Sequence, residues 1–269
     1  MNITMRRALA RVADVDAGSA VIALVALGVI AAAALVSGTA FDLGELWPFL
    51  VLGVFVPGLS QLLVVHAVHA AGASRAGILF GMAPLFSALI AIAVFGEPVQ
   101  WALVAGTLLV VAGGIVLAWE GERPADYRAY GAVLAVTVAV AFGLRDNVAR
   151  AVTEDVDAAP LAQSTAIMLG ASLVLAANLL RQRAAVPRLR RAFVPFASSG
   201  VVAALAQTML FEALDRGRVT VIAPLAGTGV LWTVVLAAIF LGRSELVGRR
   251  LYVVALLVVA GGALVGAGR

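Results

Sequence analysis

Nine long apolar runs occupy most of this chain of 269 residues, and they restrict it to very few folds. The runs cover about 18–38, 47–68, 73–95, 99–119, 129–149, 160–180, 192–214, 218–241 and 250–268. Each is close to the ~20 residues that an α-helix needs to cross a bilayer. None alternates apolar and polar residues over ~10 positions, as membrane β-strands do. We therefore predict an all-α, polytopic membrane bundle of nine transmembrane helices.

The composition excludes several kinds of chemistry. Apolar residues make up 63% of the chain and charged residues 13%, with a mean hydropathy of +1.06. The chain contains no cysteine, and all 19 of its positively charged residues are arginine. Thiolate metal ligands, cysteine nucleophiles and Schiff-base lysines are therefore excluded. An intramembrane protease is disfavoured, because Ala197–Gly200 only faintly resembles a serine motif and no His-Glu-x-x-His helix occurs. We expect a protein that is not an enzyme and holds no cofactor or metal.

The chain also matches itself at a spacing of about 141 to 148 residues, which indicates an internal repeat. Asp14–Ala17 recurs as Asp155–Ala158, Leu59–Gln61 resembles Leu205–Gln207, and Val111–Gly114 recurs as Val259–Gly262. Because the matches keep their order along the chain, we predict two homologous halves. The first covers 1–119, the second covers 129–269, and a loop at 120–128 joins them.

The two halves differ in their number of helices. The second half has five, whereas the first has four, because its Asp14–Ala17 motif lacks most of the helix that precedes the second copy. In that register Met1 falls opposite Phe142, so either the chain starts late or it is a nine-helix variant. A repeat of five helices inverts its orientation on duplication, and inverted repeats are typical of secondary transporters.

Several short motifs resemble one known family. Gly72–Ala76, Ala83–Phe86 and Phe95–Glu97 in the first half, with Ala223–Leu225 and Phe240–Gly242 in the second, are similar to the EamA-type branch of the drug/metabolite transporter superfamily. That resemblance implies a permease that moves a small organic solute, such as a metabolite, amino acid or drug-like compound, often by efflux. It implies alternating access between two inverted five-helix repeats, the first of which lacks one helix here.

Two departures from the family pattern keep an alternative open. The first helix is missing, and Arg243 and Ser244 separate Gly242 from Glu245. The alternative is a truncated or assembly-dependent remnant that does not transport. The expected partners are a small-molecule substrate and the lipid bilayer, without nucleic acid, and a homodimer is left open.

Polar and helix-breaking residues inside spans are the candidates for solute binding, because such groups are costly in a membrane. Gln61 and Gln207 occupy equivalent places, where they could bind solute or bond between helices. Pro84 and Pro224 would interrupt helices, and aromatic rings next to them could line a cavity or pack in the core. The full set of candidates is Gln61, Pro84, Phe86, Gln207, Pro224, Thr228 and Trp232.

Two carboxylates near helix ends could couple protons to transport. For that role, partial burial would have to raise the pKa of the Asp146 or Glu212 carboxyl group. The plainer interpretation of Glu212 is an ion pair with Arg216, four residues later. Glu97 and Glu245 follow glycines at helix junctions, and we expect each to face the N-terminus of the next helix.

Arginines are unevenly divided between the two faces that alternating loops would occupy. Fourteen fall on the face of the N-terminus and five on the other. The positive-inside rule therefore places the N-terminus and the 181–191 loop in the cytoplasm of a multi-pass protein of the cell (plasma or inner) membrane. The family resemblance implies the reverse orientation. Without interleaved aromatic residues, the basic 181–191 loop favours lipid head groups over nucleic acid.

Overall fold

The computed structural model describes residues 1–95, 100–119, 126–153, 156, 158–216, 228–242 and 245–267. Over these ranges the chain forms helices and turns but no strand, which confirms the predicted all-α fold. The helices are α1 (Asn2–Arg11), α2 (Val15–Val36), α3 (Leu43–Gly53), α4 (Ser60–Ala71), α5 (Ala73–Phe80), α6 (Ala83–Phe95), α7 (Trp101–Ala118), α8 (Tyr130–Thr153), α9 (Pro160–Leu180), α10 (Ala185–Arg216), α11 (Gly229–Phe240) and α12 (Arg249–Ala267).

Seven of the nine predicted spans contain helices long and apolar enough to cross a membrane. The other two contain shorter apolar helices, Trp101–Leu117 and Gly229–Phe240. The chain is therefore an integral, multi-pass membrane protein, and nine crossings stays a prediction.

Helix α10 begins earlier than its apolar run predicts. The run starts near residue 192, whereas the helix starts at Ala185 and includes Arg188, Arg190 and Arg191, which belong to the predicted 181–191 loop. Arginine stems can lie along apolar surface while the guanidinium reaches water, so a helix can continue past the hydrocarbon core. Apolarity thus marks the edge of the bilayer rather than the end of the helix.

The predicted span 47–68 is broken in the middle. Between α3 and α4, the segment Val54–Leu59 departs from α-helical geometry, and Val56 is extended at φ −140° and ψ 111°. Pro57 contributes to this geometry, because proline disfavours the helical region for the residue before it. Prolines were expected to interrupt helices at Pro84 and Pro224, and this earlier break was not predicted.

The predicted span 73–95 is also divided in two. Helix α5 ends at Phe80, Gly81 and Met82 form a turn, and Pro84 lies in the first turn of α6. Proline fits the first turn of a helix because its missing N–H would have no partner there. Pro224 lies outside the described residues.

The helices group into two compact units, and neither unit coincides with one predicted half of the sequence. The first unit combines Ile3–Val65 with Val148–Gly217, and the second combines His66–Asn147 with Arg218–Arg269. Each unit therefore takes helices from both sides of the predicted 120–128 loop.

In the first unit, α3 and α9 approach so closely that their contact requires glycine. A Cβ atom on Gly53 would lie 2.0 Å from the Ile167 carbonyl oxygen, and one on Gly170 would lie 2.0 Å from that of Leu50. Small residues permit this backbone approach in membrane bundles, where dispersion contacts replace the hydrophobic effect. Beside the crossing, Phe49 packs in an apolar cluster that includes residues of α2 and α10.

In the second unit, α7 and α12 pack antiparallel. Gly106 lies against Val265, Gly261 lies against Val110, and Gly113 lies against Val258. As the residue number rises along α7, the number of the contacting residue on α12 falls, so the two helices run in opposite directions. An apolar core at Ile78, Val230, Val234, Leu251, Val254, Ala255 and Val258 joins α5, α11 and α12 in the same unit.

Candidate functional site

A cavity of about 20 Å³ lies inside the first unit, bordered by α2, the 54–59 break, α4, α9 and α10. A single water needs ~10–15 Å³, so the space is about one water in size. Gln61 is the one polar residue among those that line it, and Pro57 and Ala203 also border it.

Gln61 is a buried amide with an unused donor. The residue is 6% exposed, and its Nε2 has no hydrogen-bond partner among the described residues. A buried donor without an acceptor costs about 1–3 kcal/mol. Gln163 in the same unit is equally buried, yet its Nε2 donates to the Ala158 carbonyl at 2.7 Å. Gln61 therefore differs from a structural glutamine in lacking a protein acceptor.

The helix break places Gln61 at the cavity. The break ends at Leu59, so Gln61 lies in the first turn of α4, and Ser60 Oγ donates to the Pro57 carbonyl at 3.2 Å. A broken membrane helix beside a cavity is the arrangement that many transporters use to present polar groups to a solute.

Gln207, the equivalent residue of the repeat, has a different position. It is half-buried in the uninterrupted helix α10, one turn after Ala203, and it does not line the cavity. At the spacing of the two glutamines, Ala203 stands where the first half has Pro57. Without proline α10 does not break there, so the repeat yields one cavity amide in this unit rather than two.

The remaining solute-binding candidates lie in the second unit. Phe86 is half-buried, and its backbone carbon would lie 2.9 Å from a Cβ on Gly143 of α8. Thr228 directly precedes α11, and Trp232 on α11 is 61% exposed. Pro84 begins α6, as described above.

The two carboxylate candidates also lie in different units. Asp146 is 45% exposed and pairs with Arg145 at 2.7 Å, and that guanidinium lies 5.0 Å from the centre of the Phe142 ring. Glu212 is half-buried near the end of α10 in the first unit. The side chain of Arg216 lies outside the described residues.

A buried amide next to Asp146 was missed. Asn147 is 5% exposed, and the two hydrogens of its Nδ2 are shared among three acceptors, the Ser87 carbonyl at 2.9 Å, Ser87 Oγ at 3.1 Å and the Gly143 carbonyl at 2.9 Å. It joins α8 to α6. The sequence carries one signal for this residue, an uncharged amide inside the predicted span 129–149.

Glu245 faces a helix N-terminus, but not the predicted one. Its fully buried carboxylate accepts from the backbone N–H of Ala73 at 2.9 Å and of Ser74 at 3.1 Å, so it caps α5 rather than α12. Arg75 Nη1 donates to the Glu245 carbonyl at 2.8 Å. A partner more than 170 residues away leaves no local signal. Glu97 lies outside the described residues.

A network of charged and polar side chains lies at one end of the first unit. Arg188 donates to both carboxylate oxygens of Asp14 at 2.6 Å and lies 3.5 Å from Asp16 Oδ2. The other oxygen of that carboxylate, Asp16 Oδ1, accepts from Asn178 Nδ2 at 3.0 Å. The hydrogen bonds from Arg188 hold the pKa of Asp14 below its ordinary value, although partial burial opposes that shift.

An interrupted membrane helix beside a cavity with one buried amide is typical of polytopic membrane transporters. The chain belongs to the EamA-like transporter family, whose sequence profile matches residues 1–119 and 129–267. The resemblance to that branch is thereby confirmed.

Other comparisons agree at the level of the fold. No curated protein matches the chain, whereas 13 chains of solved structures do. One crystal structure of a protein aligns with a TM-score of 0.67 at 19% sequence identity. That alignment covers 98% of this chain and 94% of the other, so the two share a fold.

Proposed function

We propose that this protein exports a small organic solute by alternating access between its two repeats. The observation that carries the proposal is the unpaired Gln61 donor at the cavity beside the helix break. An unpaired buried donor favours a solute with an acceptor oxygen or nitrogen, because binding would supply the missing hydrogen bond. Metabolites, amino acids and drug-like compounds carry such acceptors.

The size of the cavity supports a change of conformation during transport. Sites for small molecules have volumes of about 300–1,000 Å³, whereas this cavity measures about 20 Å³. A solute can therefore contact Gln61 only after the surrounding helices separate. The break at Val54–Leu59 lacks continuous α-helical bonding and offers a hinge for that movement.

The antiparallel packing of α7 and α12 supports inversion of the repeat. These are the last helices of the two predicted halves, and inverted repeats require equivalent helices to run in opposite directions. Two halves of opposite orientation can exchange their conformations, which is the basis of alternating access.

The decisive variant is Gln61→Leu, which removes the donor while keeping much of the volume. Losing one hydrogen bond of about 0.5–1.5 kcal/mol to solute should lower flux about 2- to 12-fold. The same change should raise thermal stability, because the resting protein no longer buries an unpaired donor. Flux is measured in inside-out vesicles, with a panel of radiolabelled amino acids and fluorescent cationic dyes.

Gln163→Leu is the matched control. It removes a buried amide that has an acceptor, so it should lower thermal stability and leave flux per inserted molecule unchanged. Wild-type flux in Gln61→Leu would remove Gln61 from the solute site. A well-inserted wild-type protein that moves no compound of the panel would favour the non-transporting alternative.

The other candidates make finer proposals. Gln207→Ala and Trp232→Ala should reduce flux without affecting insertion, and unchanged flux in both would exclude them. Asp146→Asn or Glu212→Gln should abolish any dependence of flux on an imposed pH gradient if either carboxylate couples protons. A reporter fused after Arg269 tests the predicted orientation, and cytoplasmic fluorescence would contradict it.

A further inference from the structure

The first unit carries an exposed basic end around the start of α10. Its arginines are Arg11, Arg181, Arg183, Arg190 and Arg191, and all five are exposed. Arg181 and Arg183 follow α9, and Arg190 and Arg191 lie in the second turn of α10. Arg11 ends α1, three residues before Asp14, which Arg188 binds. The contacts of Asp14 therefore bring the end of α1 to the same end of the unit.

The nearby acidic groups do not neutralise this basic end. Asp14 and Asp16 are already engaged by Arg188 and Asn178. Within the described residues, none of the five arginines of the basic end forms an ion pair. Arg188 thus pairs with the local carboxylates, whereas the five arginines of the basic end are exposed.

Exposed apolar side chains lie directly beside these charges. Leu180 precedes Arg181 and is 68% exposed, and Val194 follows Arg190 by one helical turn and is 79% exposed. Phe193, next to Val194, is exposed as well. Apolar side chains one turn from arginines match the boundary between acyl chains and head groups, where arginine reaches phosphate.

We propose that the basic end is a binding surface for anionic lipid, and that it binds the head-group phosphates of the adjoining leaflet. Arginine suits this role because its planar guanidinium donates two parallel hydrogen bonds to phosphate oxygens. The five exposed arginines provide charge complementarity, and the exposed side chains of Leu180, Phe193 and Val194 place them at head-group depth. A soluble anion would need only the charges, whereas a lipid also uses the apolar side chains.

The absence of cysteine permits a direct measurement. Val194→Cys creates a single labelling site beside the basic end, and a fluorophore there is quenched by lipid that carries a nitroxide on its acyl chain. The full-length protein is reconstituted in vesicles of phosphatidylglycerol and phosphatidylcholine, with the nitroxide on one lipid or the other. An arginine near an anionic surface contributes about 1 kcal/mol, equivalent to about fivefold enrichment. We expect phosphatidylglycerol to be enriched at least about fivefold at this site.

Leu35→Cys is the matched reference site. Leu35 is 77% exposed at the opposite end of α2, about 30 Å from Asp14 at 1.5 Å per residue. The neighbouring segment carries Asp42 and Glu45 and no arginine. The two lipids should quench this site equally.

Two combined variants separate charge from folding. Replacing Arg181, Arg183, Arg190 and Arg191 by glutamine should reduce the enrichment at Val194→Cys to the value at Leu35→Cys. Replacing the same four by lysine should keep most of it, because the charge remains. Enrichment that survives the glutamine changes would overturn the proposal. The proposal would also be overturned if inorganic phosphate reduced the enrichment more than chloride does at equal ionic strength. The surface would then bind a soluble anion.

Discussion

Replacing Glu245 by glutamine should destabilise the second unit by about 3 kcal/mol. The carboxylate is fully buried and accepts from two backbone N–H groups in the first turn of α5. The amide keeps one acceptor oxygen and turns an NH₂ group toward the other N–H. One charge-assisted bond is worth about 1.5–3 kcal/mol, and an anion at a partly buried helix N-terminus adds up to about 2 kcal/mol. Relief from burying a charge offsets part of this loss.

A loss of about 3 kcal/mol corresponds to a fall in Tm of roughly 6–12 °C for a chain of this size. Thermal unfolding of the detergent-solubilised protein measures the fall, and amide hydrogen exchange at Ala73 and Ser74 localises it. Both amides should exchange faster in the variant. Gly72→Ala should act in the same direction, because φ is +87° and the new Cβ would lie 2.7 Å from Glu245 Oε2.

Glu45→Gln is the control, since Glu45 lies in the first turn of α3 and is only half-buried. It should cost at most about 1 kcal/mol. Unfolding of Glu245→Gln within 1–2 °C of wild type, or unchanged exchange at Ala73 and Ser74, would show that the carboxylate does not stabilise the start of α5.

Three other regions give separate predictions. Gly170→Ala should cost about 3 kcal/mol or more in thermal unfolding, because its Cβ would overlap a backbone oxygen, whereas Gly28→Ala should be neutral or slightly stabilising, since nothing lies within 4 Å of the added atom. Arg188→Gln should cost about 1.5–3 kcal/mol at neutral pH. Folding lowers the pKa of Asp14, so the stability that Asp14 contributes is present above about pH 4 and is lost as the pH falls through the lower folded-state pKa. In a denaturation series from pH 7 to pH 2, the free energy of unfolding of wild type should therefore approach that of Arg188→Gln. Asn147→Leu should loosen α8 from α6 and lower Tm, and an unchanged Tm would show that its three hydrogen bonds contribute little.

The spans were predictable because transfer into a bilayer depends on local apolarity. The interruptions within the spans were harder to predict, although the sequence around one of them carries a signal. Pro57 follows a β-branched residue, Val56, inside a predicted span, and such a pair disfavours helical geometry at the valine. The pair is not sufficient, because Val194 and Pro195 lie within the uninterrupted helix α10. The predicted repeat adds no signal for this break, since Ala203 stands at the position equivalent to Pro57.

Gln61 could be chosen from the sequence, because an amide inside an apolar run is conspicuous. Its distinction from Gln163 and Gln207 could not be predicted. All three are amides in apolar helices, and only the packing of α2, α9 and α10 decides which one has an acceptor, which lines a cavity and which lies outside it. Hydrogen-bond satisfaction depends on neighbours that are distant along the chain.

The residues alone therefore determined the membrane environment, the approximate spans and the family, and they predicted the repeat, because each rests on local composition or on matches along the sequence. Tertiary structure decided that Glu245 caps α5, that Arg188 binds Asp14 and that the compact units mix the two halves. Those contacts join residues about 170 positions apart. Their free energy comes from burying charged and polar groups together, and which groups are buried together depends on the packing of the helices.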